Sequence, residues 1–173
     1  METKVFVYGT LKSDQPMHSY FANAERGSYR LVGTGKTSTK WPLVIATKFN
    51  IPFLLDMEGQ GHHIRGEVYE VDDDMLKTLD YLEDYPELYD RRRTVVELDC
   101  GGPGAGVEAP ATVECWFYVL PKERPALKDL PRFESYDSNG SHGKKFVTLY
   151  DTKSGWLIPF AEIKNEFTRC GLY

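Results

Sequence analysis

A carboxylate set among the apolar residues of an amphipathic helix must be paired or be held for proton transfer, and one stretch of this chain carries such a residue. From Asp72 the chain runs Asp-Asp-Asp-Met-Leu-Lys-Thr-Leu-Asp-Tyr-Leu-Glu. Asp72 suits a helix N-cap, and Asp73 and Asp74 suit the positive end of the helix dipole. At ~100° per residue, Met75, Leu76, Leu79 and Leu82 share one stripe. Glu83 comes four positions after Leu79 and seven after Leu76, which puts it in that stripe, ~20° from Leu76. Asp80, Asp84 and Lys77 fall outside it. Desolvation on the core side would lift the pKa of Glu83 towards the range a general base needs near neutral pH. The spacing also fits a helix that frays before Pro86, with Glu83 in water or paired with Arg91, Arg92 or Arg93.

A second candidate lies near the N-terminus. Val5-Phe6-Val7-Tyr8 is a β-branched and aromatic run that stops at Gly9, the pattern of a buried strand entering a turn. Successive amides in such a turn can point at one spot and bind an anion. They would then serve as an oxyanion hole or hold a substrate carboxylate, and Lys12 adds positive charge nearby. An ordinary strand-to-loop turn has the same signature.

Other chemistries find little support. No nucleophile elbow surrounds a serine, and no Ser/Cys/His triad pattern is present. Gly33-Thr34-Gly35-Lys36-Thr37 has the look of a phosphate loop, but Arg30 stands where the pattern needs glycine, and a strand is the better reading. His62 and His63 would project to opposite sides of a strand, so no metal site is expected there. Arg91-Arg92-Arg93 reads as a solvated strand start, and Cys115-Trp116-Phe117-Tyr118 as strand core. The three cysteines, Cys100, Cys115 and Cys170, form no CxxC pair and no disulfide framework.

The elements that would position Glu83 and the Gly9 turn are mostly strands. Tyr29–Thr39, Leu43–Ile45, Phe53–Leu55, Ile64–Val71, Thr94–Leu98 and Thr112–Leu120 all read as β, with Gly101–Gly106 as a flexible hairpin tip. A helix is expected from Asp14-Gln15-Pro16, with Met17, Tyr20 and Phe21 inward, and another from Asp72. Many strands, short loops and two helices argue for an α+β fold with a mixed sheet curled into a barrel. The 173 residues suit one domain, and 41% hydrophobic with 27% charged residues suits a soluble globule. A net charge of −5 argues against a nucleic-acid groove. No apolar run reaches the ~20 residues of a membrane span, and Met1–Val7 is too short and charged for a signal peptide. A reducing, cytosolic setting is expected.

The two candidates fall within a wider resemblance. Val5-Phe6-Val7-Tyr8-Gly9-Thr10-Leu11-Lys12 resembles the opening motif of the γ-glutamyl cyclotransferase-like family. Pro42–Ala46, Asn50–Leu55, Gly66–Tyr69, Leu79-Asp80, Glu83, Pro86, Leu88-Tyr89, Ser135-Tyr136-Asp137-Ser138 and His142-Gly143 resemble its γ-glutamylamine cyclotransferase branch. The resemblance implies a compact mixed β-barrel flanked by helices over residues 1–143. The segment 144–173 is then a C-terminal extension, expected to pack on the same domain. It also implies that Glu83 is catalytic and that Tyr8, Gly9, Thr10 and Leu11 bind the substrate's glutamyl group.

The activity so implied is cleavage of a γ-glutamyl-amine, such as γ-glutamyl-ε-lysine, to 5-oxoproline and the free amine. The substrate's own α-amine attacks its γ-carbonyl, so no metal, cofactor or protein nucleophile is expected. The alternatives are the same chemistry on γ-glutamyl amino acids or glutathione, or a non-catalytic module that binds a glutamyl metabolite. The expected partner is a small molecule, with no nucleic acid and no membrane, and the expected state is a monomer.

Overall fold

The computed structural model describes residues 2–20, 23–99, 111–121, 124–147 and 160–172. The hairpin tip expected at Gly101–Gly106, and Cys100 and Phe21, lie outside them. The strands are β1 Thr3–Val7, β2 Tyr29–Trp41, β3 Leu43–Ala46, β4 Ile51–Leu54, β5 His62–Val71, β6 Asp90–Leu98 and β7 Thr112–Val119. The helices are α1 Asp73–Leu82, the single turn α2 Pro125–Lys128, and α3 Phe160–Arg169.

Five strands close into a barrel in the order β1-β5-β2-β6-β7. Its pairs are antiparallel except the one that closes it, where Val5 of β1 pairs in parallel with Trp116 of β7. The fold is therefore α+β with a mixed barrel, as the strand pattern predicts. β3 and β4 form a separate hairpin. The Gly33–Thr37 segment lies within β2, so it forms no phosphate loop.

Alternation along β1 divides the core. Phe6 and Tyr8 pack with Ile64, Val68, Val96, Phe117 and Val119, which fill the barrel. Val5 and Val7 face the other way and pack with Met75 and Leu79 of α1. One short strand thus carries both cores and ends at the candidate turn.

Asp72 caps α1 as expected, accepting a hydrogen bond from the Met75 amide (2.8 Å) and others from the amide and hydroxyl of Ser28. Those bonds hold its carboxyl well below the ordinary range, at about 2. The helix stops at Leu82, one residue before Glu83. The Glu83 amide still donates to Leu79 O (3.0 Å), but Asp84 turns into the left-handed region at φ 50°. Glu83 is therefore the cap of the helix and not a member of its stripe.

One expectation fails. No α-helix begins at Asp14. Residues 9–17 form successive turns, with Lys12 N donating to Gly9 O, Gln15 N to Lys12 O and Met17 N to Thr10 O. Two 3-10 turns follow, at His18–Tyr20 and Ala24–Arg26. Asp14 sits at φ 60°, which an α-helix excludes, and the Ser13 amide is drawn instead to Glu67 Oε2 at 2.7 Å. Tertiary partners override a helix-start signal that was only local.

Candidate active site

The turn after β1 and the cap of α1 meet at one cavity of about 60 Å³, whose lining includes Tyr8 to Leu11, Pro52, Leu79, Glu83, Tyr89 and Tyr118. The structure brings together all five residues singled out from the sequence.

The turn is arranged unusually. The carbonyls of Gly9, Thr10 and Leu11 are taken by Lys12 N, Met17 N and the ring Nδ1 of His18. Their three amides meet no acceptor among the described residues, although Gly9 and Leu11 are buried. Buried amides ordinarily find acceptors, and successive turn amides without one are the kind of donor set that binds an oxyanion or a carboxylate. Gly9 is not in a left-handed conformation. Glycine is required because a Cβ there would stand 2.8 Å from Pro52 Cγ. β4 closes directly onto the turn.

The turn is braced from below. Glu67 Oε2 accepts from the Ser13 amide and from the Tyr69 hydroxyl (2.8 Å), and Ser13 Oγ lies 3.0 Å from that hydroxyl. Lys12 Nζ donates to Tyr136 O at 2.7 Å, and Ser138 N donates to Gln15 Oε1 at 2.9 Å. The Ser-Tyr-Asp-Ser segment thus packs on the turn, and that is its structural purpose here. Burial pulls the Lys12 ammonium below its ordinary pKa, opposed by Glu67 and Asp137.

Glu83 is partly exposed as a residue, through the cavity it lines. Burial of its carboxyl pushes the pKa up from 4.5 to about 7. The arginines that were alternative partners are engaged elsewhere. Arg91 pairs with Asp80 (3.4 Å), Arg92 with Asp56 (3.0 Å) and Asp90 (2.8 Å), and Arg93 with Glu114. A carboxyl without a cation stays basic enough to take a proton near pH 7.

Two tyrosines complete the wall. The Tyr8 hydroxyl donates to Tyr118 O (2.8 Å), and the Tyr118 hydroxyl donates to Asp80 Oδ1 (2.7 Å). Burial first, then the nearby charge of Glu83, keeps Tyr8 protonated, and burial with the Asp80 bond does so for Tyr118. Of these three groups only Glu83 titrates near neutrality. Tyr118→Phe is expected to leave the Arg91–Asp80 pair in place and to lower stability by about 1 kcal/mol, read by urea unfolding, while proton transfer at Glu83 survives.

The pairing of Tyr118 with Asp80 is not legible in the sequence, although Leu79-Asp80 belongs to the family resemblance. Tyr118 was absorbed into a strand-core pattern and Asp80 into the polar face of α1. The available signal was weak: a tyrosine at a buried strand position needs a hydroxyl partner. His63 Nδ1 lies 2.9 Å from Thr37 O. Among the described residues, no three His, Cys, Asp or Glu side chains are grouped to hold a metal.

Among the described residues, the cavity lining holds the Glu83 carboxyl, a cluster of amide donors and no serine, cysteine or histidine. Such a set suits proton transfer to and from a substrate that carries its own nucleophile. The model described as gamma-glutamyl cyclotransferase, AIG2-like, matches residues 5–138, a span containing every residue of this wall. The chain belongs to that family. Among AIG2-like relatives, gamma-glutamylaminecyclotransferase of Homo sapiens is 43% identical over 144 residues, 82% of this chain and 94% of the relative. Gamma-glutamylaminecyclotransferase C of Danio rerio is 42% identical over 149 residues, 86% of this chain and 95% of the relative. The crystal structure of an AIG2-like protein from Mus musculus superposes with a TM-score of 0.76 at 40% identity, over 84% of this chain and 95% of that one.

Proposed function

We propose that this protein is a γ-glutamylamine cyclotransferase that converts a γ-glutamyl-amine into 5-oxoproline and the free amine. The observation that carries the reading is the shared cavity, with the basic carboxyl of Glu83 on one wall and, on another, the amides of Gly9, Thr10 and Leu11, which meet no acceptor among the described residues.

The steps balance with the groups present. The Glu83 carboxylate takes a proton from the substrate α-ammonium. The amine attacks the γ-carbonyl carbon, closing a five-membered ring, and the carbonyl π pair moves onto oxygen. Amides of the turn stabilise that oxyanion or grip the α-carboxylate. As the oxyanion collapses, protonated Glu83 gives its proton to the leaving nitrogen and the bond to that nitrogen breaks; the carboxylate so regenerated takes the surplus proton from the ring nitrogen and passes it to the freed amine, which departs as an ammonium. The enzyme's main contribution is to hold the glutamyl chain folded for attack.

Support for γ-glutamyl-amines over γ-glutamyl amino acids comes from the names of the relatives at 42–43% identity. The proposed substrate is γ-glutamyl-ε-lysine, the isodipeptide left when transglutaminase crosslinks are digested. The proposed setting is the cytosol, as a monomer without nucleic-acid or membrane partners. In keeping with this, no helix among the described residues is long and apolar enough to cross a membrane.

Incubation with γ-glutamyl-ε-lysine, with products quantified by mass spectrometry, is expected to give 5-oxoproline and lysine in equal amounts, with and without EDTA. Turnover of γ-glutamyl-alanine alone would reassign the substrate. Loss in EDTA that zinc restores would overturn the metal-free mechanism.

A further inference from the structure

α3 lies beyond the span that matches the family, 5–138, yet its described side chains bond residues that neighbour the cavity lining on two sides. Lys164 Nζ lies 3.0 Å from Asp84 Oδ2, and Asp84 directly follows Glu83 at the left-handed turn. Glu166, 5% exposed, accepts the Lys48 amide at 3.1 Å and is gripped by Arg169 (2.7 and 2.9 Å). Lys48 opens the β3–β4 turn that delivers Ile51 and Pro52 to the cavity. Next to Glu166, the Phe167 ring stands edge-on to Phe53 (centroids 5.7 Å apart, 76°). Phe53 in turn stacks on Tyr89 of the cavity wall (6.1 Å, 12°).

The helix therefore ties two loops that share no strand. One carries Glu83 and leads to Tyr89. The other leads to Pro52, which presses on Gly9. We propose that α3 is a clamp that sets the separation between Glu83 and the Gly9–Leu11 amides, with Lys164, Glu166 and Phe167 as positioning residues.

The physical case rests on what each contact is worth. The Lys164–Asp84 pair is 40% and 18% exposed and adds little stability, but it restrains the loop that begins at the base. The Glu166–Lys48 bond is charge-assisted and part-buried, so it is the stronger tie. Loops without such ties drift, and a misplacement of about 1 Å at a reacting group costs on the order of 100-fold in rate. The clamp does not depend on which substrate is turned over, although its kinetic readout rests on the function proposed above.

The test uses full-length variants. Lys164→Ala is expected to lower kcat about fivefold with KM unchanged, because it frees the Glu83 loop. Glu166→Ala is expected to raise KM about tenfold, because it frees the wall behind the amides. Lys164→Arg and Glu166→Gln, which keep the cation and the acceptor, are expected to restore both. Changed melting temperatures with kcat and KM within about twofold of the parent would overturn the proposal and leave α3 as packing alone. A second readout needs no substrate. Amide NMR of Glu166→Ala is expected to move the Gly9, Thr10 and Leu11 signals, which Glu166 reaches only through Lys48 and Pro52. Shifts confined to Lys48, Asp84 and α3 would overturn the clamp. An inactive parent enzyme whose Gly9–Leu11 signals still move would sink the proposed reaction and keep the clamp.

Discussion

Glu83→Gln is expected to lower kcat by about 10³-fold, within the range that general acid–base groups contribute, while the fold is kept and made more stable. The swap is nearly isosteric, and no cation is lost by it, since Arg91, Arg92 and Arg93 bond elsewhere. Stability should change in a definite direction. The carboxyl has a folded-state pKa of about 7 against an ordinary 4.5, so between those values the folded state binds more protons than the unfolded one. Stability then falls as pH rises through that window. At about 1.4 kcal/mol for each pH unit, the cost of holding the charge above pH 8 is on the order of 3 kcal/mol. Glutamine resembles the protonated acid and removes that cost. Thermal melts should show the variant about 6–12 °C above the parent at pH 8.5 and equal to it at pH 4. The same pKa sets the parent's activity. The base must be ionised, so kcat/KM rises tenfold per pH unit below about 7 and levels off above. Parent-like turnover in the glutamine variant would remove Glu83 from the mechanism. A melting temperature that does not rise at pH 8.5 would show that its carboxyl is not desolvated.

The location of this base was legible in the sequence for a reason only partly right. The stripe through Leu76 and Leu79 placed Glu83 on the core side, and the side is correct. The helix, however, ends at Leu82, and what holds Glu83 in the cavity is the left-handed Asp84 and the loop to Tyr89. Periodicity registers the direction of a side chain but not the turn that fixes it. The strands were legible to within a few residues because alternation and β-branching are local signals. The helix expected at Asp14 was not realised, because the Ser13–Glu67 and Lys12–Tyr136 bonds are long-range and leave no trace in a window of ten residues. Tyr118 and Asp80 were hidden for the same reason: their relation spans 38 positions.

Gly9→Ala is expected to cost about a tenth of the factor lost with the base, by a different route. A Cβ at this position would stand 2.8 Å from Pro52 Cγ. Few real contacts are that close, and the proline ring cannot rotate aside as a long flexible side chain would. Either β4 or the turn must yield. Movement of the turn re-aims the three free amides of Gly9, Thr10 and Leu11, and donors of this kind act only when aimed at the oxygen they stabilise. A displacement of about 1 Å predicts a loss of roughly 100-fold in kcat/KM, together with about 1–3 kcal/mol of stability from overpacking. The cause is steric, since Gly9 has no left-handed backbone that alanine would strain. Relief should therefore come from the other side of the contact. In Gly9→Ala/Pro52→Ala the ring is removed, and at least a tenfold recovery of kcat/KM over Gly9→Ala is expected. Equal activity in the single and double variants would show that glycine serves the backbone here and not the close approach of Pro52. Parent-like kinetics in Gly9→Ala would show that the aim of these amides does not limit the reaction, and the oxyanion would then need other donors.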